Sequence, residues 1–127
     1  MPLSIGLINN LQNRLSKFIE WGESKGIKFQ GSRVLKYVEL LSSYRNALER
    51  NQIDDLIESR GAAYLDQIPL EIAELIYLYE SLRDFEDPRL KSRFQSIVKG
   101  PELLQDDMTG DSRDIQFELQ MLYFFFA

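Results

Sequence analysis

Apolar residues recur at helical spacing along nearly the whole chain. The first stripe advances by three- and four-residue steps, the period of a buried helix face, and consists of Leu7, Ile8, Leu11, Leu15, Phe18 and Ile19. We expect this helix to end within the sequence WGESKG, because Gly22 and Gly26 are helix breakers. The next residues, IKFQGS, predict a short extended connector, with Ser32 as the N-cap of a second helix.

The same spacing predicts the second helix and leaves its end open. The pattern runs from Ser32 through Leu48, and it either continues or restarts after Asn51 as far as Gly61. The stretch AAYLDQIP that follows predicts a short helical turn. We expect that turn to end at Pro69, because the residue before a proline avoids the α conformation.

Three more helices are predicted in the remainder of the chain. One has Pro69 in its first turn and ends at DFEDP. Asp87 caps the next, with Pro88 at its first position, and that helix ends at the sequence KGP. After the acidic loop ELLQDDMTGDS, Asp111 or Ser112 caps a last helix.

These elements predict an all-α protein, an irregular bundle of about five helices. Residues 1–110 are expected to form the bundle domain, and residues 111–127 a terminal apolar helix that packs on it or opens a following domain. A chain of 127 residues has the length of one domain with one sizeable core.

The amino-acid composition excludes several kinds of site and disfavours some kinds of partner. The chain has 15 basic and 20 acidic side chains, a formal charge of −5, which disfavours nucleic acid or an anionic membrane as the main partner. Cysteine and histidine are both absent, which excludes disulfides, thiolate or imidazole metal sites and catalysis by either residue. No signal peptide or membrane-spanning run is evident, so a cytoplasmic location is predicted.

The acidic loop is the candidate metal site. Asp107, Thr109, Asp111 and Glu118 occupy positions one, three, five and twelve of a calcium-loop frame. The sixth position holds Ser112, where the turn requires glycine. A solvated loop is therefore favoured over a metal site with ligands Asp107, Asp111 and Glu118, and no cofactor is predicted.

Two loose groups of basic residues are the candidate nucleic-acid contacts. They are Lys25, Lys28, Arg33 and Lys36 around the connector, and Arg89, Lys91, Arg93 and Lys99 along the fourth helix. The second group spans several helical faces, so a solvated surface is favoured over a phosphate track. The residues taken as candidate DNA contacts are Arg33, Lys36, Arg89 and Arg93.

Aromatic residues at helical spacing predict core packing rather than base stacking. Tyr37, Tyr44, Tyr77 and Tyr79 lie on apolar helical faces with few basic neighbours. Trp21, near the end of the first helix, either closes the core there or stands half-exposed as a partner anchor.

The last fifteen residues, RDIQFELQMLYFFFA, are apolar on almost every side of a helix. Such a helix is normally central in its protein, so we expect a protein partner to cover it. The predicted partner-binding residues are Leu122, Tyr123, Phe124, Phe125 and Phe126. The cover would be a second copy, or a following domain if the chain is the N-terminal part of a longer protein. Interspersed polar residues weigh against a membrane anchor.

The segment GDSRDIQFELQMLYFFFA, residues 110–127, resembles the opening of restriction-endonuclease-like α/β domains in large bacterial and phage-borne proteins. In those proteins an Arg-x-x-x-Phe-Glu-Leu helix opens the domain and a helical region precedes it. The resemblance implies that Glu118 lies near a metal site. The family's two defining strands, one carrying Asp and the next carrying (Asp/Glu)-x-Lys, are not predicted in this chain.

Two functions therefore stand as hypotheses. The favoured one is a non-catalytic helical accessory domain that binds protein and forms the N-terminal part of a longer protein. The alternative is part of a nuclease-like, nucleic-acid-processing enzyme that contacts DNA.

Overall fold

The computed structural model describes residues 4–85 and 87–99, and the regular secondary structure of this part of the chain consists of helices, without a strand. Its five helices are α1 (Ile5–Ser24), α2 (Arg33–Glu49), α3 (Ile53–Arg60), α4 (Ala62–Leu82) and α5 (Pro88–Val98). Helix α1 packs against α2 and α4, and α3 packs against the same two helices. The predicted all-α bundle is confirmed for these residues. The predicted helix at 111–127 and the boundary at residue 110 lie outside them.

Helix α1 begins and ends with capping bonds that its sequence encodes. The Ser4 Oγ accepts a hydrogen bond from the Leu7 amide at 3.1 Å, which satisfies one of the free donors of the first turn. At the other end Gly26 adopts φ +84°. The Ile27 amide donates to the Gly22 carbonyl at 2.8 Å, as in a Schellman cap. The helix therefore stops at Gly26 as predicted, whereas Gly22 stays inside it.

Asn51 shows whether the helical pattern of α2 continues or restarts after this residue. It has φ +56°, a left-handed conformation that asparagine tolerates better than most residues. The Gln52 amide donates to the Ala47 carbonyl at 2.7 Å, which closes the helix. A new helix, α3, then begins at Ile53, so the pattern restarts rather than continues.

The predicted helix break at Pro69 is wrong. Helix α4 runs through this residue without interruption from Ala62 to Leu82. A proline inside a helix costs about 3 kcal/mol because it lacks the N–H and crowds the preceding turn. Leu65, Ile68 and Ile72 are all buried around it, and burying each such side chain contributes roughly 1.5–3 kcal/mol. Packing on both sides of Pro69 therefore outweighs its local cost.

An aromatic cluster holds α1, the connector, α4 and α5 together. Phe18 is its centre, with ring centroids 5.6 Å from Phe29, 5.1 Å from Tyr79 and 5.8 Å from Phe94. Trp21 is half-buried and lies 5.2 Å from Phe94. Of the two roles considered for Trp21, the structure supports closing the core.

Three of the four tyrosines assigned to the core are buried, namely Tyr37, Tyr44 and Tyr79. Tyr77 is different, because it lies exposed on the outer face of α4. The prediction of core packing is wrong for that residue. Helical spacing alone does not mark where a broad apolar face stops being covered.

The connector between α1 and α2 crosses the core as an extended strip. Ile27 and Phe29 are buried, while Lys28 and Gln30 between and after them are exposed. The side chain of Gln95 on α5 makes two hydrogen bonds to this connector. Its Oε1 accepts from the Lys28 amide at 2.7 Å, and its Nε2 donates to the Lys28 carbonyl at 2.8 Å. A single side chain thus satisfies the backbone N–H and C=O of Lys28, which a neighbouring strand would satisfy in a sheet.

Candidate functional site

The predicted terminal sites lie outside the described residues. These are the metal candidates Asp107, Asp111 and Glu118 and the partner-binding run Leu122–Phe126. Within residues 4–85 and 87–99, acidic side chains form no group of three or more that could hold a metal ion. In the same ranges, every helix is too short or too polar to cross a membrane.

Arg33 is a buried residue, so its assignment as a surface contact for DNA is wrong. Its side chain is 1% exposed. The Nε donates to the Ile97 carbonyl of α5 at 3.0 Å, and Nη1 donates to the Tyr37 hydroxyl at 3.2 Å. A charge in this position cannot reach a phosphate backbone. It is held inside because hydrogen bonds replace the water that it has lost.

A carboxylate from α4 completes the surroundings of Arg33. The buried Glu71 Oε2 lies 3.8 Å from Arg33 Nη1. One turn further along α4, partial loss of water raises the pKa of Glu74, and the nearby Glu71 charge raises it further. Arg33 thus joins α2 to α4 through an internal ion pair, and to α5 through a hydrogen bond to a backbone carbonyl.

The other predicted nucleic-acid contacts lie on two helices, α2 and α5. Lys36 is exposed on α2. Arg89 lies in the first turn of α5 and binds the capping residue Asp87, with Nη2 2.9 Å from Oδ2. Hydrogen bonds from the Arg89 side chain and, to a smaller extent, from its backbone N–H lower the pKa of Asp87. Arg93 is half-buried on the same helix. Arg89 thus serves the cap of its own helix.

An apolar groove opens between the first turns of α1 and the first half of α4. It encloses about 400 Å³ and is lined by Leu7, Leu11, Leu65, Asp66, Pro69, Leu70 and Ala73. Leu7 is 45% exposed and Leu70 59% exposed. Two leucines thus stand at an open apolar surface where further apolar area could be buried.

The sequence gives only part of the signal for this groove. Leu7 belongs to the apolar stripe of α1 and was expected in the core, which is wrong. Leu70 lies on the outer face of α4, together with Ala73 and the exposed Tyr77 at three- and four-residue steps. A second apolar stripe on one helix is a sequence signal for a docking face, and it was missed because the core stripe dominates the pattern.

A second cavity, of about 780 Å³, lies between the connector and α5. Three of its lining side chains are lysines; the full lining is Gly26, Lys28, Phe29, Gln30, Gly31, Ser32, Lys91, Gln95 and Lys99. None of these residues is acidic, although the chain as a whole is negatively charged. The fold therefore joins lysines from both basic groups of the sequence, but not the four basic residues taken as DNA contacts.

Comparisons of the chain with protein-family models, with curated proteins and with solved structures gave no significant match. Function is therefore inferred from the surfaces of this chain.

Proposed function

We propose that this chain is a non-catalytic helical protein-interaction domain, and that the α1–α4 groove receives an apolar protein segment. The exposure of Leu7 and Leu70 at the rim of one groove carries this proposal. Removing apolar surface from water contributes about 25 cal/mol per Å², and helix-in-groove recognition uses apolar anchors at three- and four-residue spacing.

The proposed occupant is the apolar segment 112–127, from the same chain or from a second copy. This segment ends in Leu122, Tyr123, Phe124, Phe125 and Phe126, the residues predicted to bind a partner. Large aromatic side chains provide the most apolar area per residue, and the groove offers leucine, proline and alanine surface to receive them.

The length of the chain permits this contact within one molecule. Helix α5 ends at Val98, and the residues between it and position 112 span up to about 46 Å when extended. Phe94 of α5 packs on Phe18 of α1. Leu7, at the groove, lies only about 17 Å from Phe18 along that helix.

Disulfide trapping in the full chain tests the proposal. The natural sequence has no cysteine, so the pair Leu70→Cys with Phe124→Cys is the only thiol pair in that variant. We expect mild oxidation to link the two positions. A faster-migrating monomer on a non-reducing gel indicates contact within one chain, and a dimer whose linked peptides join position 70 to position 124 indicates contact between copies.

The matched control places the first cysteine at Leu35, another exposed leucine, on α2 outside the groove. The pair Leu35→Cys with Phe124→Cys should link several-fold more slowly. Equal linking rates for the two pairs, or no linking in either, would overturn the groove as the docking site of this segment.

A further inference from the structure

The lysine-lined cavity is a second, chemically different feature of the molecule. Lys28 enters it from the connector, and Lys91 and Lys99 enter from α5. Within the described ranges, none of the three forms an ion pair with a carboxylate. Like charges gathered at one cavity repel one another, and an anion placed between them relieves that repulsion.

We infer that this cavity binds a small molecule carrying a phosphate or pyrophosphate group. The volume of about 780 Å³ lies within the range of small-molecule sites, roughly 300–1,000 Å³. Lysine ammonium groups bind phosphate oxygens as point charges. Phe29 adds an apolar wall for the organic part of such a ligand.

Ser32 provides an independent reason to place a ligand here. It lines the cavity and is 3% exposed, yet its hydroxyl has no hydrogen-bond partner among the described residues. It precedes α2 at the N-cap position but makes no side-chain capping bond. Buried polar groups are nearly always satisfied, and a hydroxyl can rotate to donate to an incoming oxygen. The positive end of the α2 dipole adds to the attraction for an anion.

Two contacts hold the walls of the cavity together before any ligand arrives. Gln95 binds the Lys28 backbone through both of its amide atoms. Lys91 lies against Gly26, where a Cβ would stand 2.9 Å from its Nζ. The absence of a side chain at Gly26 leaves room for this ammonium group.

Calorimetric titration of the full chain with pyrophosphate, and separately with ADP, tests the inference. We expect saturable binding that weakens as salt rises, and a roughly tenfold loss of affinity for either Lys91→Gln or Lys99→Gln. Both lysines are exposed, so these variants keep the fold, which circular dichroism checks. Ser32→Ala should weaken binding several-fold without lowering the melting temperature of the free protein.

Lys36→Gln is the matched control, since it removes one exposed lysine on α2 outside this cavity. Its affinity for pyrophosphate should stay within about twofold of the parent. The inference is overturned by no saturable binding of either ligand, or by an equal loss with Lys36→Gln, which would indicate diffuse charge. Duplex DNA that binds more tightly than ADP and depends on the same lysines would also overturn it, in favour of a nucleic-acid site.

Discussion

At the scale of single residues, Arg33 joins three helices from inside the protein. It binds the Ile97 carbonyl of α5 and the Tyr37 hydroxyl of its own helix, and Glu71 of α4 supplies a nearby carboxylate. Removing one member of such a buried pair costs more than replacing both members with apolar residues, because a lone buried charge has no compensation.

We expect Arg33→Ala to lower the free energy of unfolding by about 3–5 kcal/mol. The double variant Arg33→Met with Glu71→Leu should recover most of that loss, since it removes both charges and keeps the volume. Urea unfolding followed by the fluorescence of Trp21, the single tryptophan, measures both variants. If the double variant is no more stable than Arg33→Ala, the loss comes from the Ile97 and Tyr37 contacts and not from the uncompensated charge.

Ser4 and Ser32 occupy the same N-cap position on two helices but differ in their bonds. Ser4 accepts the Leu7 amide, whereas Ser32 makes no side-chain capping bond. Ser4→Ala should therefore cost about 1 kcal/mol of unfolding free energy. Ser32→Ala should cost nothing measurable in the free protein, because no hydrogen bond of its side chain is lost. Urea midpoints for the two variants compare them directly, and equal losses would contradict the assigned caps.

At the scale of helices, the two glycines of α1 have opposite surroundings. At Gly6 an added Cβ would meet only the Ser4 Oγ, 4.0 Å away, whereas at Gly22 it would lie 2.6 Å from Cε2 of the buried Phe29 ring. Alanine is favoured over glycine inside a helix by up to about 1 kcal/mol. The contact at Gly22 outweighs that preference, because the Phe29 ring is packed against Phe18 and cannot withdraw freely.

We expect Gly6→Ala to raise the free energy of unfolding by a few tenths to about 1 kcal/mol. Gly22→Ala should lower it by about 1–3 kcal/mol, the usual cost of overpacking. Thermal and urea unfolding of the two variants measure the difference. A stabilising Gly22→Ala would show that the connector can move away from α1 at little cost.

The helices themselves were largely predictable, and the failures share one cause. Period and terminal residues indicated α1, α2 and α5, because the signals of Gly26, Ser32 and Asp87 act locally. Pro69 and Gly22 also carry strong local signals, yet both lie inside helices. Their neighbours bury enough apolar surface to override those signals. A rule based on local sequence does not include the free energy of tertiary packing.

At the scale of the whole molecule, one ion pair connects α1 to α4 across the bundle. Arg14 Nε donates to Glu80 Oε2 at 2.9 Å, and Nη2 donates to the other carboxylate oxygen. The hydrogen bond from Arg14 lowers the pKa of Glu80 below its usual value of 4.5. The folded state thus favours the charged carboxylate. The pair stabilises the fold fully above the usual pKa, and its contribution is lost as the pH falls through the lowered one.

We expect Glu80→Gln to lower the free energy of unfolding near pH 7 by less than about 1 kcal/mol, since water screens this half-exposed pair. At an acidic pH, below the lowered pKa, the parent carboxyl is protonated, so the difference between parent and variant should shrink towards zero there. Urea unfolding at both pH values measures this, with Glu58→Gln on the exposed face of α3 as control. A difference that is the same at both pH values would contradict the assigned interaction.

The two candidate sites depend on the assembled bundle and could be predicted only in part. Lys28 and Lys91 fell into two separate basic groups of the sequence, and nothing in their spacing showed that Gln95 brings those groups together. The charge of Arg33 predicts an exposed side chain, because charged residues are usually exposed. Leu7 was assigned to the core because its spacing fits the α1 stripe. Which part of an apolar face stays uncovered is a property of the neighbouring helices.

The two hydrogen bonds between Gln95 and the connector have a consequence for the order in which parts of the protein unfold. The Lys28 amide is bonded to a side chain of α5 and not to a backbone partner, so its exchange with solvent deuterium requires that Gln95 release it, which we expect when α5 moves away. Native-state hydrogen exchange should therefore show the Lys28 amide and the interior amides of α5 opening with the same free energy and the same dependence on denaturant. In the variant Gln95→Ala, the Lys28 amide should lose its protection, while the amides in the middle of α2 keep theirs. Residues more than sixty positions apart would then open as one cooperative unit, and Gln95 would be the residue that ties the Lys28 amide to it.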